Sequence, residues 1–143
     1  MTEATPYFSQ DATGSPDKAG RWVDVDALRT VSFTEGLTFR PILADRSMVN
    51  FVYFEKHTEA PNHVHEEEQV TVVLEGEFEF ELDGERKILH AGQAAVIPPW
   101  VPHGARTHDT TCVEIDVFTP PRAVLLAKLL EQEEGREVQG GSN

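Results

Sequence analysis

The sequence predicts an all-β fold, a small sandwich or barrel followed by one C-terminal helix. Three observations carry this reading. Short apolar segments separated by turn residues recur from Leu37 to Phe118. Glu77–Leu82 alternates strictly, with Phe78, Phe80 and Leu82 on one face and Glu77, Glu79 and Glu81 on the other. Only the segment from Pro121 to about Glu134 has apolar residues at helical spacing.

Taken in order, residues 1–20 hold Pro6, Gly14, Pro16 and Gly20 among small polar residues and predict a flexible arm. Tyr7 and Phe8 give that arm an apolar point able to dock on the body or on another subunit. The body, residues 21–134, opens with strands at Leu37–Leu43 and Val49–Lys56. Both faces of the second are largely apolar, as in a strand covered on both sides. Gln69–Leu74 is rich in β-branched residues, and Glu75-Gly76 turns it into Glu77–Leu82. Asp83-Gly84 is a hairpin dipeptide, returning the chain through Glu85–Ala91; Gly92 then opens a turn before Ala94–Ile97. Pro98, Pro99 and Pro102 stiffen the next loop. In the last strand, Thr110–Phe118, Val113, Ile115 and Val117 oppose Cys112, Glu114, Asp116 and Phe118. Pro121 suits a first helical turn, Val124, Leu125, Leu129 and Leu130 form a stripe, and Gly135 is the expected stop before a weakly ordered tail, 135–143.

Composition narrows the partners. The 143 residues carry 12 Lys+Arg against 25 Asp+Glu, a formal charge of −13. Such a surface repels phosphates, which argues against nucleic acid and anionic membranes. A single cysteine, Cys112, forbids an intrachain disulfide and, in an apolar strand, reads as a buried structural thiol. Met1–Gly20 lacks a signal-like apolar core, and no run approaches the ~18 apolar residues of a membrane span. A soluble cytoplasmic protein is expected. Nine of the 25 acids fall between Glu66 and Glu85, beside the most informative stretch.

That stretch is Pro61-Asn62-His63-Val64-His65, followed by Gln69. On an extended strand His63 and His65 share a face, and Gln69 has the same parity. His103, fixed by the prolines before it, offers a third imidazole. A bare H-x-H is otherwise two surface histidines beside a solvated acidic run, Glu66-Glu67-Glu68.

The wider pattern resembles the cupin superfamily. Its first motif appears as His63, His65, Gln69 and Gly76, and its second as Gly92, Pro98 and His103. The resemblance implies a single jelly-roll β-barrel with a metal held by His63, His65, His103 and Gln69. Gln69 stands where cupins usually carry an acid, so the site keeps the full charge of a dication, which favours Lewis-acid over redox chemistry. Alternatively Gln69 stays off the metal, leaving three histidines and water, or His108 supplies a fourth imidazole.

Asp116, Phe118 and Arg122 form a second constellation. If their strand face points inward, a carboxylate, an aromatic wall and a guanidinium meet at one mouth; otherwise Asp116 is solvated and Arg122 pairs with a surface acid. Val101–Ala105 and Asp116–Arg122 resemble small single-domain cupins of the pectin-degradation type, which open 4,5-unsaturated uronates, and also cupin-type polyketide cyclases and cupin hydroxynitrile lyases. The resemblance makes Asp116 and Arg122 catalytic and implies one divalent metal per subunit, zinc first, with nickel, manganese or iron as alternatives. Tyr53, Trp100, Phe118 and Arg40 are the expected pocket residues. Their aromatic character and the long arm favour ring closure of a polyketide over uronate opening. A metal-dependent dioxygenase and a non-enzymatic binding cupin are the other classes. A small-molecule substrate and a homodimer are the expected partners.

Overall fold

The computed structural model describes residues 6–141, with side chains given for residues 6–134. Residues 1–5 of the expected arm lie outside that range. Residues 9–20 have neither helix nor strand and are exposed, and a 3₁₀ turn spans Pro6–Phe8. Nine strands form one curled sheet: β1 (Val31–Thr34), β2 (Leu37–Leu43), β3 (Met48–Phe54), β4 (Glu59–His63), β5 (Glu68–Leu82), β6 (Glu85–His90), β7 (Ala94–Ile97), β8 (His103–Arg106) and β9 (Cys112–Thr119). Their order is β1-β2-β3-β9-β5-β8-β4, with β6 and β7 also paired to β5. Helix α1 (Ala123–Gly141) follows. It runs past Gly135, where a stop was expected.

The expected turn at Glu75-Gly76 is not a turn. β5 is one strand of 15 residues, with a register shift between Val73 and Glu75. Its first half pairs with β9 and β7, its second with β6 and β8. The bulge lets one strand serve two sheets by bending. Gly76 makes this possible: its φ is 72°, and a Cβ there would lie 2.1 Å from the Thr111 carbonyl oxygen.

Parity decides what faces the interior. Along β3, Met48, Asn50, Val52 and Phe54 are buried while Val49, Phe51 and Tyr53 are half-buried on the outer face. β9 pairs with β3 in register, Asn50 opposite Asp116 and Val52 opposite Glu114, so Cys112, Glu114, Asp116 and Phe118 face inward. The aliphatic residues Val113, Ile115 and Val117 are the ones turned outward. Phe54, Phe78, Phe80, Val52 and Ile97 pack the barrel floor. Leu125 of α1 seals one rim against Val31, Met48 and Phe118.

Candidate metal centre

Three elements deliver the histidines. β4 ends on His63 and pairs with β8 so that His63 lies opposite His103, the first residue of β8. His65 follows in the connection to β5, and Gln69 is the second residue of that strand. The strand is therefore broken between His63 and Gln69, yet the parity reading still brings all four together. The nearest ring nitrogens of His63, His65 and His103 lie within 4.8 Å of one another. His65 Nε2 is 3.1 Å from His103 Nε2, and Gln69 Oε1 is 3.0 Å from the first and 3.2 Å from the second.

The hydrogen-bond pattern fixes which nitrogens carry protons. Nδ1 of His63, His65 and His103 lies 2.7, 2.9 and 3.0 Å from the carbonyls of Pro61, Glu67 and Val101. A carbonyl only accepts, so each Nδ1 donates and each neutral ring keeps its lone pair on Nε2. The Gln69 amide is equally fixed: its Nε2 donates to Thr71 Oγ1 at 2.8 Å and to Asp116 Oδ1 at 3.0 Å, which turns Oε1 toward the imidazoles. Burial lowers the pKa of His65, and that of His103 to about 4, so both stay neutral. His65 Nε2, His103 Nε2 and Gln69 Oε1 thus converge as lone pairs with no hydrogen between them. Such a cluster is repulsive without a cation at its centre, and its nitrogen and oxygen donors suit a borderline divalent ion.

Beyond the ligands lies a cavity of about 320 Å³, bordered by His63, Gln69 and His103. Six phenylalanines stand in its walls: Phe33, Phe39, Phe54, Phe78, Phe80 and Phe118. Asp116 and Arg122 line it too, so the inward alternative holds for that strand face. Burial raises the Asp116 carboxyl above the ordinary range, although hydrogen bonds from Thr71 and Gln69 oppose the shift.

Three expected pocket residues are elsewhere. Tyr53 and Arg40 project from the outer face, where the Arg40 guanidinium lies 5.2 Å from the Tyr53 ring centroid and 3.7 Å from Asp26. Even-numbered positions of β2 and odd-numbered ones of β3 point outward, so Arg40 and Tyr53 share that face with Phe51. Trp100 is 62% exposed. The Pro98-Pro99 turn brings its backbone N–H, not its ring, to the site, donating to the His65 carbonyl at 2.9 Å. His108 sits on the far face, 3.5 Å from Glu79, and supplies no fourth imidazole. Cys112 is buried, and burial pushes its thiol up to about 12, as a structural cysteine requires.

Glu67 departs furthest from its expected role. It lies in the acidic run read as solvated, yet it is 6% exposed. Its Oε2 accepts from Ala123 N–H at 2.7 Å, at the start of α1, and its Oε1 lies 3.7 Å from both Arg122 Nη1 and His65 Nδ1. Burial alone would push this carboxyl up; the Ala123 and Glu67 N–H groups, with Arg122 and His65, outweigh it and hold it down. One side chain thus ties a ligand loop, Arg122 and the helix together. Asn50, Thr71 and Glu114 also belong to the interior and carry no motif in the sequence.

A family model for the cupin domain matches residues 50–118. The pectin degradation protein KdgF of Dickeya dadantii (strain 3937) is 33% identical over 84 residues, 58% of this chain and 76% of that protein. This chain is a cupin. Among solved structures, KdgF from Halomonas sp. superposes with a TM-score of 0.70 at 28% identity, over 75% of this cupin and 99% of that chain. The polyketide cyclase RemF from Streptomyces resistomycificus matches with a TM-score of 0.65 at 25% identity, over 71% of this cupin and 80% of RemF. Cupin relatives thus include enzymes of both kinds. Among the described residues, no helix of this cupin is long and apolar enough to cross a membrane.

Proposed function

We propose that this cupin is a metal-dependent enzyme of non-redox chemistry, closing a ring in a polyketide-type substrate through an enolate. The observation that supports it best is the phenylalanine-rich cavity bordered by His63, His103 and Gln69, three of the four converging donors. An apolar guest fits those walls, and its reacting end meets the polar side chains at the mouth. A bound dication supplies Lewis-acid polarisation of a carbonyl oxygen. Zinc is the first choice, because neutral imidazoles and an amide oxygen leave its charge uncompensated.

The chain's own residues carry the remaining work. Asp116, held by Gln69 and Thr71 at Oδ1, moves the proton between carbon and oxygen. Arg122, steadied by Glu67, orients a keto or anionic group at the rim. The phenylalanine walls exclude water from the enolate. Oligomerisation through the outer face, where Val96 and Leu74 are exposed, would complete the expected homodimer.

Uronate opening remains the second reading, favoured by the 33% identity to KdgF. The test offers zinc-loaded protein a linear aryl poly-β-ketone and, separately, a 4,5-unsaturated uronate, with an oxygen electrode in the cell. Ring closure without oxygen uptake supports the proposal; turnover of the uronate alone selects the second reading. Oxygen consumption, or unchanged turnover in metal-free protein, defeats both.

A further inference from the structure

β4 carries one residue too many for its partner strand. Glu59 lies opposite Arg106, Ala60 opposite Ala105 and His63 opposite His103. Pro61 and Asn62 therefore share the single position of Gly104, as in a β-bulge. β8 itself is fixed from its other side, because β5 sets Leu82 opposite His103 and Phe80 opposite Ala105. Residues directly opposite one another share a face of the sheet. Regular alternation from Ala60 would thus place Asn62 opposite His103 and turn His63 to the outer face. Instead Ala60 and His63, three residues apart, both line the cavity. Asn62 borders a depression with Glu79, Glu81 and Arg106 on the outer side.

Gly104 supplies the room for this. A Cβ there would meet the Ala60 carbonyl oxygen at 2.9 Å, Asn62 N at 2.9 Å and Asn62 Cα at 3.0 Å. All three are backbone atoms flanking Pro61, so no side chain can swing aside. Its φ lies outside the left-handed region, so glycine serves here for space rather than for its dihedral freedom. Pro61 suits the crest of the bulge, because β4 is an edge strand and a residue without an N–H strands no ladder donor. The Pro61 carbonyl in turn accepts from His63 Nδ1 at 2.7 Å, which keeps the ring's lone pair on Nε2.

We propose that Gly104 is a positioning residue for the metal centre: by admitting the Pro61–Asn62 bulge it turns His63 inward, opposite His103. This rests on the reading of His63, His65, His103 and Gln69 as metal donors and assigns the backbone device that completes them.

Cobalt(II) is the probe, because it accepts nitrogen and oxygen donors and its visible absorption reports the ligand set. It is titrated into metal-free wild type, Gly104→Ala, His63→Ala and the variant carrying both substitutions. Gly104→Ala should bind cobalt about 10–100-fold more weakly than wild type, the scale of losing an interaction that orients a ligand. Its visible band should match that of His63→Ala. In the His63→Ala background the same substitution should leave the affinity unchanged, because no ligand remains to be misplaced. A cooperative melt of metal-free Gly104→Ala shows that it folds. Where it does not, Gly104→Ala with Pro61 deleted takes its place. With one residue fewer, His63 meets His103 without a bulge, and this variant should show the wild-type band. Wild-type affinity and band in Gly104→Ala, an equal loss in the His63→Ala background, or no band in the Pro61-deleted variant overturns the positioning role alone. Wild type that binds no cobalt overturns the metal reading on which that role rests.

Discussion

The Gln69 amide nitrogen donates to Asp116 Oδ1 at 3.0 Å while its oxygen faces His65 Nε2 at 3.0 Å. One side chain thus touches both the imidazole nitrogens and the inward-facing acid Asp116, which gives a physical reason for an amide where a cupin usually places a carboxylate. A carboxylate there would face Asp116 with like charge, and one of the two would keep a proton. Gln69→Glu should therefore still bind zinc yet lose at least about tenfold in kcat, because Asp116 becomes the harder acid to ionise. Steady-state kinetics beside a zinc titration check this.

Glu67 joins the ligand loop to α1. Glu67→Ala removes the acceptor for Ala123 N–H and leaves Arg122 without its partner; the expected loss is about 1–2 kcal/mol in denaturant unfolding. Glu67→Gln keeps the cap and should lose less. The ordering of the two variants is the result to look for.

Glu114 supplies a pH signature. Its carboxyl is raised well above its unfolded value by burial and by Asp116. The stability this adds is complete below the unfolded pKa and is lost as pH rises through the folded one. Glu114→Gln has no such proton to lose. Its melting temperature should therefore gain on wild type as pH rises above the ordinary carboxylate range.

His103 acts in the opposite direction. With a folded pKa of about 4 against 6.5 unfolded, it contributes stability above pH 6.5 that fades as pH falls toward 4, about 3 kcal/mol in all. Chelated wild-type protein should thus weaken across that window more steeply than chelated His103→Leu. The comparison cancels the opposing contributions of Glu114 and Asp116, present in both.

Much of this was legible from residue order because strand parity is rigid. It brought His63, His65 and Gln69 together, and Phe78 and Phe80 inward. It could not choose a face for β9, where hydrophobicity argues for turning Val113, Ile115 and Val117 inward. The barrel instead turns Glu114 and Asp116 inward, one of the two arrangements that parity leaves open for Asp116. The short strands β4 and β8 escaped because each is stabilised by a distant partner rather than by its own pattern, and β1 because four residues paired to β2 alone carry too short a pattern. Glu67 was hidden by its neighbours: Glu66 and Glu68 are exposed, and composition cannot single out the middle acid that caps a helix 56 residues later. Trp100 misled for a related reason, since aromatic character says nothing about which way a proline turn aims a ring.

On the proposed function, His63, His65, His103 and Gln69 together hold one dication. Elemental analysis after zinc loading and gel filtration tests it most directly. About one zinc per chain is expected in wild type and almost none in the His65→Ala, His103→Ala double variant. Wild type emerging metal-free, or the double variant retaining a full equivalent, would contradict it.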